Sequence, residues 1–425
     1  MNSPLGRRGP SASAVCALAA ALGAGAAFAG DPPPPSGPEA AIRLLEKRAA
    51  EDPRDFLTRT LLGGAHARRG RETGDLACYV RAEEAFRDAL RLKADHVPAS
   101  TGLAGALASQ HRFREALEAA GGVLAKDAAD GGALAVAYDA AMEAGLYPRA
   151  AEALAALEKA APGAPAALAR SALWAEVHGA MEKAVERADA AAKASAEAGE
   201  DPEARAWYEA RAGDLRFHRG DLEGAKARFD AALAIHPTHP AALHGLVAVR
   251  RARGDEAGAR EILEKVAAAA PTPGVLFDLS EVLAALGKAE EAEKAQDRAV
   301  ALATREGPWR RTYRREMAEF LVDRGGDPER ALLLAREDLE ERGDVHGHAV
   351  LAWCLHRCGK QDEAAAEMDR AMALGTHEPS FWERAALIRL ARGEKEKALE
   401  LLERVRATGA WFLGDEGRRA LESLR

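Results

Sequence analysis

Asparagine is almost missing from this chain, the one copy in 425 residues being Asn2. Aromatic residues are scarce at 5%, against 48% hydrophobic residues overall, so the apolar share is mostly Ala and Leu. Ala loses no side-chain entropy in a helix and Leu loses little, so this composition favours helix. Four cysteines (Cys16, Cys78, Cys354 and Cys358) spread over such a length are no disulfide framework. No Lys/Arg-rich tract stands out and the net charge is −8, which argues against a nucleic-acid backbone as partner. Catalytic signatures are missing too. There is no G-x-S-x-G and no H-E-x-x-H, and Gly287-Lys288 and Gly359-Lys360 lack a preceding phosphate loop. Carboxylate pairs are abundant, but Lys or Arg stands three or four residues away, as on solvated helical faces. No enzyme activity and no cofactor are therefore expected.

Residues 1–29 have the form of a secretory signal peptide. Arg7 and Arg8 make the positive start, Ala14 to Phe28 the apolar middle, and Ala27-Phe28-Ala29 a cleavage site. The apolar run is too short for a comfortable membrane span, and no other stretch is long and apolar enough. Export is expected, to the periplasm or outside the cell. Residues 30–38 contain the run DPPPPSGP, which cannot form helix or central strand and should act as an extended spacer.

From residue 39 to 425 everything reads helical. Ala206 to Pro271 is one pattern written twice: Gly220-Asp221 and Gly254-Asp255 mark tight turns, Ala225 and Ala259 follow each Gly by five residues, and Pro237 and Pro271 close the units. Turns of this kind fall at His111, Gly145, Gly179, Gly220, Gly254, Gly287, Gly326, Gly359 and Gly393, at steps of 34, 34, 41, 34, 33, 39, 33 and 34 residues. Insertions are expected near 70–77, 193–205 and 305–310, and a capping helix over 413–425. Five residues past every turn stands alanine: Ala116, Ala150, Ala184, Ala225, Ala259, Ala292, Ala331, Ala364 and Ala398. A methyl at each such place lets the second helix of a pair cross the first closely. Apolar residues follow on the same face, as in Phe229/Ala232, Leu263/Val266 and Leu402/Val405. Gln296 and Asp338 break the pattern, so their units should be looser or shifted in register.

Over about Pro53 to Phe412 this pattern resembles the tetratricopeptide-repeat (TPR) family. Gly213, Ala225, Phe229, Ala232 and Pro237, then Leu243, Ala259, Leu263 and Pro271, stand on the family's small, apolar and closing positions. The resemblance implies an all-α, right-handed superhelical solenoid of antiparallel helix pairs, about ten repeats long. It also implies a concave groove, lined by the first helix of each pair, that binds a peptide or a partner's helix. Positions inferred to face it are Trp207, Phe217, His218, His244, Arg251, Phe277, Tyr313, Phe320, Trp353, His356 and Arg357. Aromatic and Arg side chains are the usual anchors of binding surfaces. Some members clamp an acidic chaperone tail with Asn and Lys, and a mature chain without asparagine cannot build that clamp.

One cluster carries a rival reading. His346, His348, Cys354, His356 and Cys358 crowd into a single unit, and His346, Cys354 and Cys358 can share a face as weak candidates for zinc, copper or haem. The spacing is C-x3-C and no C-x-x-C-H exists, so packing as small apolar residues is the preferred expectation. The expectation is thus a non-catalytic protein-binding scaffold of the bacterial cell envelope. The alternatives are a metal- or haem-handling periplasmic protein and the accessory subunit of a separate enzyme.

Overall fold

The structure, a computed structural model, describes residues 38–305, 311–324 and 326–425. The signal-peptide reading over 1–29, the spacer up to residue 37 and most of the 305–310 insertion lie outside the described residues. The described residues fall into two compact units, 38–170 with 193–204, and 171–192 with 205–425.

Twenty-two α-helices and no strand occur among the described residues. The chain begins with α1 (Pro38–Glu51), α2 (Phe56–Thr73), α3 (Leu76–Leu92), α4 (Val97–Ala108), α5 (Phe113–Leu124), α6 (Gly131–Glu143) and α7 (Tyr147–Ala160). The unit boundary cuts α8 (Pro165–Val177), α9 (Met181–Glu197) and α10 (Pro202–His218). The second unit continues with α11 (Leu222–Ile235), α12 (Pro240–Ala252), α13 (Glu256–Ala269), α14 (Pro273–Ala285), α15 (Ala289–Thr304) and α16 (Arg314–Asp323). It ends with α17 (Pro328–Glu341), α18 (Val345–Arg357), α19 (Gln361–Met372), α20 (Pro379–Ala391), α21 (Lys395–Thr408) and α22 (Asp415–Leu424). Within each unit these are antiparallel hairpins stacked in chain order, the all-α solenoid fold anticipated from the repeat. Even-numbered helices touch one another from hairpin to hairpin, as α2 does α4, α4 does α6 and α16 does α18, and so they form the inner side.

The hairpin turn follows from local chemistry. At His111, Gly145, Gly179, Gly220, Gly254, Gly287, Gly359 and Gly393 φ lies between 57° and 89°, a region where glycine carries no Cβ penalty. The next residues start the second helix: Asp221 and Asp255 accept the backbone N–H of Gly224 and Gly258, each at 2.9 Å. The polar stretch expected as an insertion near 70–77 is helix except for Gly74 and Asp75. There α2 runs on to Thr73, held by an Arg68–Glu72 pair at 2.8 Å, before α3 begins at Leu76.

All nine turn-following alanines are buried. A second seat repeats in both units. The Phe229 ring of α11 lies between Gly213 of α10 and Gly245 of α12, where an added Cβ would stand 2.5 and 2.2 Å from ring carbons. Phe86 of α3 sits likewise between Gly63 and Gly102, at 2.7 and 2.5 Å. The two irregular units part ways. On α15 the register is shifted, with Ala292, Ala295 and Ala299 buried and Gln296 only partly so. Asp338, expected to loosen its unit, is buried and tied at 2.8 Å to Arg315, which also bonds Asp344 at 2.8 Å. That unit buries an ion-paired cluster beside its apolar residues Met317, Ala318, Ala331 and Leu332.

The inner face of the C-terminal unit as candidate functional site

In the N-terminal unit the inner helices α4 and α6 are rich in alanine and glycine and carry few charges. Ala104 to Ala108 of α4 and Ala133 to Val136 of α6 are buried in succession, leaving no polar groove along them. What polarity is present is used internally: buried Arg170 bonds Asp139 at 2.5 Å, and the Tyr138 hydroxyl donates to the Arg170 carbonyl at 2.9 Å. Arg71 of α2 reaches Glu203 at the start of α10 at 3.1 Å, a buried pair spanning 132 residues of chain.

The C-terminal unit differs. Its inner helices carry large and charged side chains that meet across hairpins. On α10, Arg211, Asp214 and His218 recur at three and four residues and share a face. Arg211 pairs with Glu176 of α8, and His218 Nδ1 lies 2.9 Å from the other Glu176 oxygen. Burial works against the Glu176 carboxylate, but Arg211 and His218 overcome it and hold the carboxyl down at about 2. Burial likewise disfavours the His218 imidazolium, yet Glu378, Glu176 and Asp214 raise it to about 9. Desolvation pushes the Asp214 carboxyl up, opposed by Arg211, His218 and His244.

Further along, His244 of α12 meets Asp278 of α14 at 3.0 Å, and Arg251 meets Glu281 at 3.0 Å. Arg324 joins Glu281 from α16 at 3.2 Å. Phe277 and Phe320 stack with centroids 4.4 Å apart. The Trp353 indole N–H donates to Asp323 at 2.6 Å, while Arg357 and Arg384 lie over its ring at 5.6 and 5.9 Å. Arg384 reaches back to Glu319 at 2.8 Å, His356 stacks on Trp353 at 5.0 Å, and Arg357 bonds Glu416 of α22 at 2.9 Å. The result is one connected ribbon from α12 to α22 in which cations and rings alternate with carboxylates.

Most groove positions inferred from the repeat therefore fall on this ribbon or at its α10 end: His244, Arg251, Phe277, Phe320, Trp353, His356 and Arg357 on it, Phe217 and His218 beside it. Phe217 and Trp353 are buried, and Trp207 is half-buried with its ring edge-on to Tyr208 at 5.0 Å. Tyr313 lies elsewhere, on a cavity of about 450 Å³ lined also by Ala303, Arg314, Met317 and Leu333. Sequence reasoning missed the acidic half of the ribbon. A signal for it existed: Asp278 stands 34 residues after His244, Glu281 stands 30 after Arg251, and Asp323 stands 30 before Trp353.

The His/Cys cluster is dispersed over other contacts. His346 meets Phe381 edge-on at 5.1 Å, and His348 bonds Glu367 at 2.8 Å. Cys354 is fully buried with its thiol pushed up to about 12 by desolvation, and the Cys358 thiol donates to the Pro328 carbonyl at 3.4 Å. Among the described residues no group of three His, Cys, Asp or Glu side chains is placed to hold a metal ion.

Residues 216–275 match the tetratricopeptide repeat family. The matched stretch runs from the end of α10 to the start of α14, so it includes the turns at Gly220 and Gly254 and Phe229 with Gly245. The chain is also similar to the "Cellulose synthase operon protein C" of Xanthomonas axonopodis pv. citri (strain 306), at 26% identity over 209 residues. That alignment covers 48% of this chain and 14% of the relative, so the chain spans about a seventh of the relative's length. Among solved structures, a human IFIT1 dimer with m7Gppp-AAAA has a TM-score of 0.49 at 14% identity, covering 87% of this chain and 86% of that one. Yeast Tom70 has a TM-score of 0.36 at 14% identity, covering 87% and 94%. Among the described residues no helix is long and apolar enough to cross a membrane.

Proposed function

We propose that this chain is a non-catalytic scaffold of the bacterial cell envelope, exported to the periplasm or beyond, which holds a peptide or partner helix against the inner face of its C-terminal unit. The observation that carries this reading is the ribbon itself. Aromatic side chains are few in the chain, yet Phe277, Phe320 and Trp353 gather on one connected surface with Arg side chains and carboxylates between them. Pairs such as His244–Asp278 and Arg251–Glu281 keep little exposure, so desolvation largely offsets their Coulombic gain, and a partner's own charges can take the place of one member as long as the other is not left unpaired. Rings such as Phe277 and Phe320 then supply the apolar anchors. A repeat stack presents such a surface without needing a catalytic pocket.

A second reading, accessory subunit of a separate enzyme, is favoured by the name of the bacterial relative, a cellulose synthase operon protein. It uses the same surface and differs only in what is bound.

The test is site-specific photocrosslinking in envelope extract. A crosslinker placed at Phe277 on the inner α14 should give a discrete adduct that one at Glu261 on the outer α13 does not. Trp207→Ala together with Trp353→Ala should weaken that adduct while helical content is kept. Equal adducts from both positions, or none from Phe277, would refute inner-face binding.

A further inference from the structure

The C-terminal unit meets itself. Successive hairpins in a solenoid bury their apolar faces on their neighbours, so contacts between distant hairpins are additional to the core and can break without unfolding it. Such contacts join the α8 and α10 ends to the far end of the unit. The Thr376 hydroxyl, buried in the loop between α19 and α20, donates to the Val177 carbonyl at 2.8 Å across 199 residues of chain. The His377 N–H points to the Glu176 carbonyl at 3.5 Å. Phe217 of α10 meets Phe412, just after α21, edge-on at 5.3 Å.

Two turn glycines show how close this approach is. A Cβ on Gly179 would lie 2.5 Å from the Gly375 carbonyl oxygen, and one on Gly220 would lie 2.0 Å from that of Thr408. The equivalent turn glycines Gly254, Gly287, Gly359 and Gly393 have nothing within 4 Å of an added Cβ, although their φ values are 76° to 80°. Positive φ thus accounts for glycine at every such turn, whereas at Gly179 and Gly220 backbone from the far end also leaves no room for a side chain.

We propose that these contacts form a releasable latch, in which the loop after α19 and the turn after α21 close over the ends of α8 and α10, and that a polypeptide reaches the enclosed inner face only when the latch opens. This rests on the inner face being the binding surface. Charge reinforces the closure. His218 faces Glu176 from α8, Asp214 from its own helix, and His377 and Glu378 from the latch loop; Asp214 in turn faces Arg211 and His244 of α12, and Arg404 of α21 lies beside His377. As an imidazolium it stands between two carboxylates from opposite sides of the latch. Since Glu378, Glu176 and Asp214 hold that charge up to a pH of about 9, the latch is expected to hold at neutral pH and to weaken as pH rises through that value.

The experiment uses the full chain with Asp214→Cys, Cys16→Ser and Cys358→Ser, Cys78 and Cys354 being fully buried. Maleimide labelling of the thiol at position 214 reports access to the enclosed face, and amide exchange at Thr376 to Glu378 reports the latch itself. Gly220→Ala should speed labelling about tenfold or more and raise exchange in the latch loop. Gly254→Ala carries the same positive-φ strain with no far backbone to strike and should change neither. Thr376→Val, which strains no backbone, should move both readouts in the direction of Gly220→Ala. Equal labelling in the Gly220→Ala and Gly254→Ala chains, or an unchanged latch loop in Thr376→Val, would overturn the latch. A latch that opens as described while Phe277 captures nothing would instead refute the binding reading and leave the latch standing.

Discussion

Gly245→Ala is a substitution whose sign separates two accounts of this fold. Helix propensity alone makes Ala better than Gly in a helix interior by about 1 kcal/mol. The packing account says the opposite. Phe229 is fully buried, and a methyl at Gly245 would lie 2.2 Å from its ring, which has Gly213 against it at 2.5 Å by the same measure and cannot withdraw. Overpacking a core of this kind costs about 1–3 kcal/mol, and a ring confined on two sides belongs at the upper end. The expected net effect is a loss of about 2 kcal/mol, the propensity gain having been subtracted. Urea unfolding followed by helical circular dichroism reads it, with amide exchange in α11 and α12 showing where stability is lost. Gly121→Ala, where an added Cβ meets nothing within 4 Å, serves as the control and should stabilise. In a Phe229→Leu background the Gly245→Ala penalty should shrink, since contacting residues couple by about 0.5–3 kcal/mol. A Gly245→Ala chain as stable as the parent would refute the reasoning, as would a penalty that survives unchanged with Leu at 229.

Two further outcomes follow from the charged interior. NMR titration of His218 should show a midpoint near 9, and Glu378→Gln should lower it; an ordinary value near 6.5 would contradict the arrangement. Because the folded value is raised, the stability from His218 is complete below about 6.5 and lost as pH rises through about 9, whereas that from Glu176 is present above about 4.5 and lost as pH falls through about 2. Arg315→Met should cost about 3–5 kcal/mol in urea unfolding, because it leaves Asp338 and Asp344 buried without their cation. Recovery is expected when Asp338→Leu and Asp344→Asn are added, and a single variant within 0.5 kcal/mol of the parent, a span of about the size seen for surface changes, would rule the buried pair out as a stabilising contact.

The hairpins, their turns and the nine methyl contacts were legible in the chain because each is written locally. Gly220-Asp221 is a turn and an N-cap together, and Ala225 answers to a helix crossing only five residues away. The same locality placed cations and rings such as His244, Arg251 and Trp353 on one face before any coordinates. It could not reveal their carboxylate partners, which lie about one repeat away on helices whose rotation depends on how each hairpin stacks. Asp338 shows the limit sharply: a charge on an apolar stripe reads as a defect until Arg315 is seen beside it. Closure of the C-terminal unit was out of reach for the same reason. Thr376 and Val177 meet only because five intervening hairpins each add a small rotation, and no pattern of a few dozen residues records that sum. Sequence by itself determined the repeat, since propensity and turn chemistry act over neighbours. Tertiary structure decided which inner side chains are paired, which are enclosed and which glycines face a distant backbone, since those depend on rotations accumulated along the whole stack.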